Sequence, residues 1–158
     1  MASPQASDHL ATRYSFQMWD HDPDSASAKI VTPDASTTVR VVDMSNFGRF
    51  AVGAMTTVIA GAAITKVEII ASDSSDGTGN VIVIKDSGTV AADAQGDWVW
   101  LECTAEEIRQ EAADDGTSTA RYVAARITLA NSGDEAAVVY IREGRHQYDA
   151  LTAATTIA

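Results

Sequence analysis

Residues 95–110 read QGDWVWLECTAEEIRQ, and the change of period inside them decides the fold. From Asp97 to Cys103 the side chains alternate, placing Trp98, Trp100 and Glu102 on one face of a strand and Val99, Leu101 and Cys103 on the other. The cysteine therefore belongs with the aliphatic core face. At Thr104 the pattern changes. Thr104-Ala105-Glu106-Glu107 has the Thr-x-x-Glu spacing of a capping box, in which the threonine hydroxyl accepts from the Glu107 amide and the Glu107 carboxylate reaches back to the Thr104 amide. Glu106 and Glu107 also fall in the first turn, where acidic groups complement the helix dipole. The spacing predicts a short helix, a lid or crossover, with Ile108 and Ala112 on one face and a stop near Gly116.

Strands extend outward from this unit on both sides. TTVRVVDM, GRFAVGAMTTVIAG, ITKVEIIASD, NVIVIKDSG and DWVWLEC are apolar runs bounded by Gly, Asn, Asp or Ser clusters, which is the spacing of an all-β domain. In ITKVEIIAS, Lys66 and Glu68 share a face with Ile64 and Ile70 and are expected outside. The run from Phe50 to Thr65 reads as a buried strand pair. SSDGTGN supplies the Gly and Asn that a hairpin into NVIVIK requires. TARYVAARITLANSG and EAAVVYIREG, joined across an NSGDE turn, close the domain. Residues 1–37 read as an N-terminal arm with one strand, TRYSFQMW, whose Tyr14, Phe16 and Met18 share a face; the DHDPDSAS that follows is turn-rich and cannot bury much. Residues 38–148 form the sandwich, and 149–158 are a small, polar tail.

Twenty-two acidic residues against eleven basic give a formal charge of −11 over 158 residues. That charge argues against direct nucleic-acid binding, since no Lys/Arg cluster offsets repulsion from phosphates, and it suits either solubility or docking on a basic protein surface. Cys103 is the only cysteine, so neither an intrachain disulfide nor a cysteine zinc site can be assembled. MASPQASDHLATRY lacks a basic n-region and an apolar h-region, and no uncharged apolar run reaches the ~20 residues of a spanning helix, so a cytoplasmic origin and no membrane partner are expected.

Catalytic patterns are scarce. The capping box accounts for Glu106 and Glu107, leaving Glu102 beside two tryptophans, while a glycosidase needs two carboxyls about 5 to 10 Å apart. Asp20-His21-Asp22-Pro23-Asp24 alternates oxygens like part of a calcium loop but lacks its central glycine and distal glutamate, and reads as a solvated turn. His9, His21 and His146 do not form a transition-metal pattern. There is no Gly-x-Ser-x-Gly elbow and no phosphate-binding loop. The expectation is a non-enzyme with no catalytic, metal or cofactor site.

From Met44 to the C-terminus, the segments MSNFGRFAVGAMTTVIAG, ITKVEIIAS, DWVWLECTAEEIRQ and ARYVAARITLANSGDEAAVVYIREG resemble the head decoration, or cement, proteins of tailed bacteriophages, in element order, helix entry and small-residue content. The resemblance implies a jelly-roll-like antiparallel β-sandwich with one short helix and an extended N-terminal arm. It also implies a virion protein, made in the host cytoplasm, that binds the outside of a capsid and ties major capsid subunits together, with self-association into a dimer or trimer. The arm and strand patterns, not the resemblance, nominate Tyr14, Phe16, Met18, Trp19, Trp98 and Trp100 as interaction residues. The other readings of the same residues are a phage tail or head–tail connector subunit, and a carbohydrate-binding module that uses Trp98 and Trp100 as a stacking platform.

Overall fold

The computed structural model describes residues 14–33, 36, 38–61, 63–117 and 119–144. The strands are β1 (Tyr14–His21), β2 (Lys29–Ile30), β3 (Val42–Asp43), β4 (Phe47–Val58), β5 (Ile64–Ser72), β6 (Val81–Asp86), β7 (Trp98–Thr104), β8 (Tyr122–Leu129) and β9 (Glu135–Gly144), with one helix, α1 (Ala105–Asp114), between β7 and β8. They form two antiparallel sheets, one ordered β1-β9-β4-β7, the other β2-β8-β5-β6 with β3 also on β8. Apart from the β5–β6 hairpin, the chain changes sheet at nearly every connection. As a result β1 and β2, β9 and β8, β4 and β5, and β7 and β6 lie side by side as two-layer ribbons. That wrapping is the jelly-roll order, an antiparallel double sheet.

The core between the sheets follows from the period of two. Phe50, Val52 and Ala54 of β4, Val67, Ile69 and Ala71 of β5, Val123, Ala125 and Ile127 of β8, and Ala136, Val138 and Tyr140 of β9 are buried together. Each large aliphatic side chain removed from water there is worth about 1.5 to 3 kcal/mol. Tyr140 joins the layers: its ring packs edge-on to Phe50 and Trp19, its hydroxyl accepts from the Ala125 N–H of the opposite sheet at 2.7 Å and lies 3.2 Å from the Arg40 carbonyl.

Helix α1 begins as the sequence requires. Thr104 Oγ1 accepts from the Glu107 N–H at 3.1 Å and Glu107 Oε2 accepts from the Thr104 N–H at 2.8 Å, completing the capping box. Its carboxyl is held below the usual range by Lys85 and by the Thr104 bonds. Ala105, Ile108 and Ala112 are buried, and the turn ends at Gly116 with φ +79°. Cys103 is buried on the core face with its thiol pushed up to about 12, chiefly by desolvation.

Four expectations are corrected. From Tyr14 onward, TRYSFQMW is not an arm reaching to other subunits: β1 pairs with β9 from Tyr14↔Glu143 to His21↔Ala136 and is an edge strand of the sandwich's own sheet. DHDPDSAS is not wholly solvated, because His21 is fully buried and its Nδ1 accepts from the Thr32 N–H at 3.2 Å. Glu68 lies on the outward side of β5 but is covered, since Lys66 and Arg126 close over its two oxygens at 2.9 and 2.6 Å. Within 50–65, β4 and β5 are not paired but lie in opposite sheets. Residues 1–13, His9, His146 and the tail 149–158 lie outside the described residues.

Candidate functional site: an apolar sheet face

The registers of the four-stranded sheet place its outward residues in rows. Phe16, Ile141, Ala51 and Glu102 lie across the sheet in one row, Met18, Val139, Gly53 and Trp100 in the next, and Asp20, Ala137, Met55 and Trp98 in the third. Alternation alone would make such a face polar on a solvated sandwich. Instead, large apolar groups stand on both edge strands, with Phe16 55%, Met18 70%, Trp98 43% and Trp100 52% exposed. Between them the floor is built of small and aliphatic side chains.

Trp100 lies down on that floor, over Gly53. A β-carbon at residue 53 would come within 2.6 to 2.7 Å of three ring carbons of Trp100, so any side chain there would lift the indole off the sheet. Trp98 stacks on it with ring centroids 5.3 Å apart and planes 15° from parallel, forming an apolar ledge along β7. Across the sheet, Tyr14 and Phe16 sit with centroids 6.1 Å apart on β1. An open hollow of about 450 Å³, lined by Met18, Asp20 and Ala137 of this face and by Trp19, Pro33 and Arg40, adjoins its upper edge.

The sequence-nominated residues therefore divide. Phe16, Met18, Trp98 and Trp100 are brought onto one face although about eighty residues separate the two pairs in the chain. Tyr14 is half-buried at the lower end of that face. Trp19 points inward, its ring 4.8 Å from that of Tyr140 and beneath the Arg40 guanidinium, and it belongs to the core's margin. Met55, Val139 and Ile141 were not nominated. Their signal was present in the strand period, as the residues alternating with Phe50, Val52 and Ala54 and with Val138 and Tyr140, but nothing local says that their face stays uncovered.

The titratable groups elsewhere serve the fold. His21 is lowered to about 4, because burial outweighs the opposing field of Asp20. Asp134 is fully buried, and its carboxylate accepts from the N–H groups of Ala60, Gly61, Ala63 and Asn131. Desolvation raises its pKa, but those backbone bonds outweigh it and hold the carboxyl below the usual range. Glu68 is likewise lowered, first by the Arg126 hydrogen bond. Among the described residues no three His, Cys, Asp or Glu side chains are grouped to hold a metal ion, and no helix is long and apolar enough to cross a membrane.

No protein-family model matches the sequence, and no curated protein matches it. Among solved structures, one similar chain is the Clostridium thermocellum N-terminal endo-1,4-beta-D-xylanase 10B, its CBM22-1 and GH10 modules complexed with xylohexaose. It is 15% identical with a TM-score of 0.37, and the alignment covers 88% of this chain and 27% of that one. This chain thus spans about a quarter of that protein, and at that TM-score the likeness carries no argument about function.

Proposed function

We propose that the protein is a non-enzymatic structural component of a virion, which docks on the outside of a tailed-phage capsid and links neighbouring major capsid subunits. The observation that carries this reading is the outward face of the β1-β9-β4-β7 sheet, apolar across all four strands and exposed at Phe16, Met18, Trp98 and Trp100. An apolar patch of a few hundred Å² is the size of the largest patch on a typical monomer, and such patches are often functional. The jelly-roll order is the architecture that the resemblance to decoration proteins implies, and the role rests on the face.

Size shapes the proposal. Four strands at ~4.8 Å spacing and three rows of side chains make a face on the order of 300 Å², against about 800 Å² per partner in a standard stable interface. One copy grips weakly; a dimer or trimer that engages several capsid subunits together gains by effective concentration what the single face lacks. Nucleic acid is not a partner in this reading, given the charge of −11.

The test is to assemble virions in cells that express a tagged copy and to image the particles. Label over the whole head is the expected result. Label at one vertex or on the tail would support a connector or tail subunit instead, and unlabelled particles would remove the virion reading. The parallel Trp98–Trp100 pair supports a second reading, a glycan-stacking surface. Titration with soluble oligosaccharides separates the two, since saturable quenching of tryptophan emission is expected only of the glycan reading.

A further inference from the structure

We propose that the surface docked on this sheet face is a protein surface with an apolar centre framed by lysine and arginine side chains, and not a second copy of this chain. The inference rests on the docking reading above. It comes from the charges that share the face with the apolar groups. By the strand registers, Asp20, Glu102, Glu135 and Glu143 point outward from this sheet, whereas Arg49 is the one basic side chain to do so among the described residues, and it lies 3.8 Å from Glu143. All three lysines, Lys29, Lys66 and Lys85, are on β2, β5 and β6 of the other sheet. Counted over the strands, the sheet that carries the apolar face is therefore the more acidic of the two, with four acids against Arg49 and Arg142, where the other has Asp43, Glu68 and Asp86 against Lys29, Lys66, Lys85 and Arg126.

Glu102 is the most telling of these acids. It lies on the same side of β7 as Trp98 and Trp100, in the row of Phe16, and is exposed without a salt bridge or hydrogen bond among the described residues. Any surface that covers the indoles also removes water from this carboxylate, and an unpaired buried charge is costly. A cation on the partner offsets that cost and steers the approach. Two copies face to face would instead cover Glu102 while offering it no basic group of the face but the second copy's Arg49, and that missing cation, more than repulsion at the ~10 Å separation of packed sheets, which salt screens over ~8 Å, disfavours self-docking.

The test uses defined probes on the full chain: a ten-residue peptide of alternating leucine and lysine, and its leucine–glutamate counterpart. Each is titrated while tryptophan emission is followed, since Trp98 and Trp100 report cover on the face. The lysine peptide should bind saturably with a blue shift, and the glutamate peptide should not bind. Glu102→Lys should weaken the lysine peptide about tenfold or more, whereas Asp114→Lys, an equal charge change on α1, should leave it within about twofold. Trp100→Ser should weaken it as well, with binding read at a temperature where circular dichroism shows the variant folded, because the indole's packing on Gly53 and Trp98 also supports the sheet. Equal weakening by Glu102→Lys and Asp114→Lys would overturn the inference, as would binding of the glutamate peptide. So would a dimer of the unaltered chain that Trp100→Ser abolishes in sedimentation. If Trp100→Ser alone weakens binding, the docking face stands and the basic partner falls; if no variant matters, both fall.

Discussion

Replacing Asp134 by alanine should be among the most damaging single changes outside the apolar core. Its carboxylate joins two crossings of the sandwich: Oδ1 accepts from Ala60 and Gly61 at 2.7 and 3.0 Å, and Oδ2 from Ala63 and Asn131 at 3.0 and 2.8 Å. Ala63 itself is fully buried and sits at φ +61°, a left-handed conformation that a non-glycine residue holds only when its surroundings impose it. Removal of the carboxylate leaves the buried Ala63 N–H unsatisfied, at about 1 to 3 kcal/mol, and exchanges the other three bonds for water at roughly 0.5 to 1 kcal/mol each. The expected loss is about 3 to 5 kcal/mol, or roughly 10 °C in melting temperature for a domain of this size. Urea unfolding followed by tryptophan emission measures it, with the slope unchanged. Asp134→Asn retains one acceptor oxygen but turns an NH₂ toward the second pair of donors, and should recover less than half. The folded carboxyl lies below its unfolded value, so its stabilisation is present above the unfolded pKa of ~3.9 and is lost as pH falls through the folded value. A loss under about 1 kcal/mol, or an asparagine variant as stable as the parent, would refute the four-bond account.

Other expectations follow from the same geometry. His21 has a folded pKa of about 4 against 6.5 unfolded; its contribution is complete above pH 6.5 and falls away toward pH 4, by about 3 kcal/mol. A pH series of urea melts on the parent and on His21→Gln should show that slope in the parent alone. Tyr140→Phe leaves the Ala125 N–H unpaired between the sheets and should cost about 1 to 3 kcal/mol in the same assay, with the ring contacts kept. Cys103, buried and with its thiol raised to about 12, should react with a thiol reagent slowly in the native state and rapidly in denaturant; fast native labelling would contradict its place in the core. Deletion of residues 1–19 removes most of β1 together with the Trp19–Tyr140 contact, and should lower the melting temperature substantially rather than leave an intact sandwich.

The local features were legible because local physics sets them. The strand-to-helix change at Thr104, the inward Cys103 and the turn at Gly77 follow from period, capping and backbone freedom within a few residues. What depends on partners distant in the chain was not. Asp134 reads as part of a turn, since the donors it satisfies at residues 60, 61 and 63 lie more than seventy residues away. His21 looks solvated beside Asp20, Asp22 and Pro23, and only the β1–β9 pairing buries it. Phe16 and Met18 pointed to an interaction, as did Trp98 and Trp100, but a single sequence does not give the strand order that sets them on one face. The inward packing of Trp19 was not legible for the same reason: its neighbour Tyr140 comes from β9.

The central claim, that the outward face of the four-stranded sheet is covered when the protein is at work, is tested most directly by oxidative footprinting of Met18, Trp98 and Trp100 in the free chain and in the assembled particle. In the free chain all three should oxidise readily, as their exposure of 43 to 70% requires. In the particle all three should be protected together, while Val81 and Val83, exposed on the opposite sheet, remain as reactive as before. Unchanged oxidation of Met18, Trp98 and Trp100 on assembly would contradict the account.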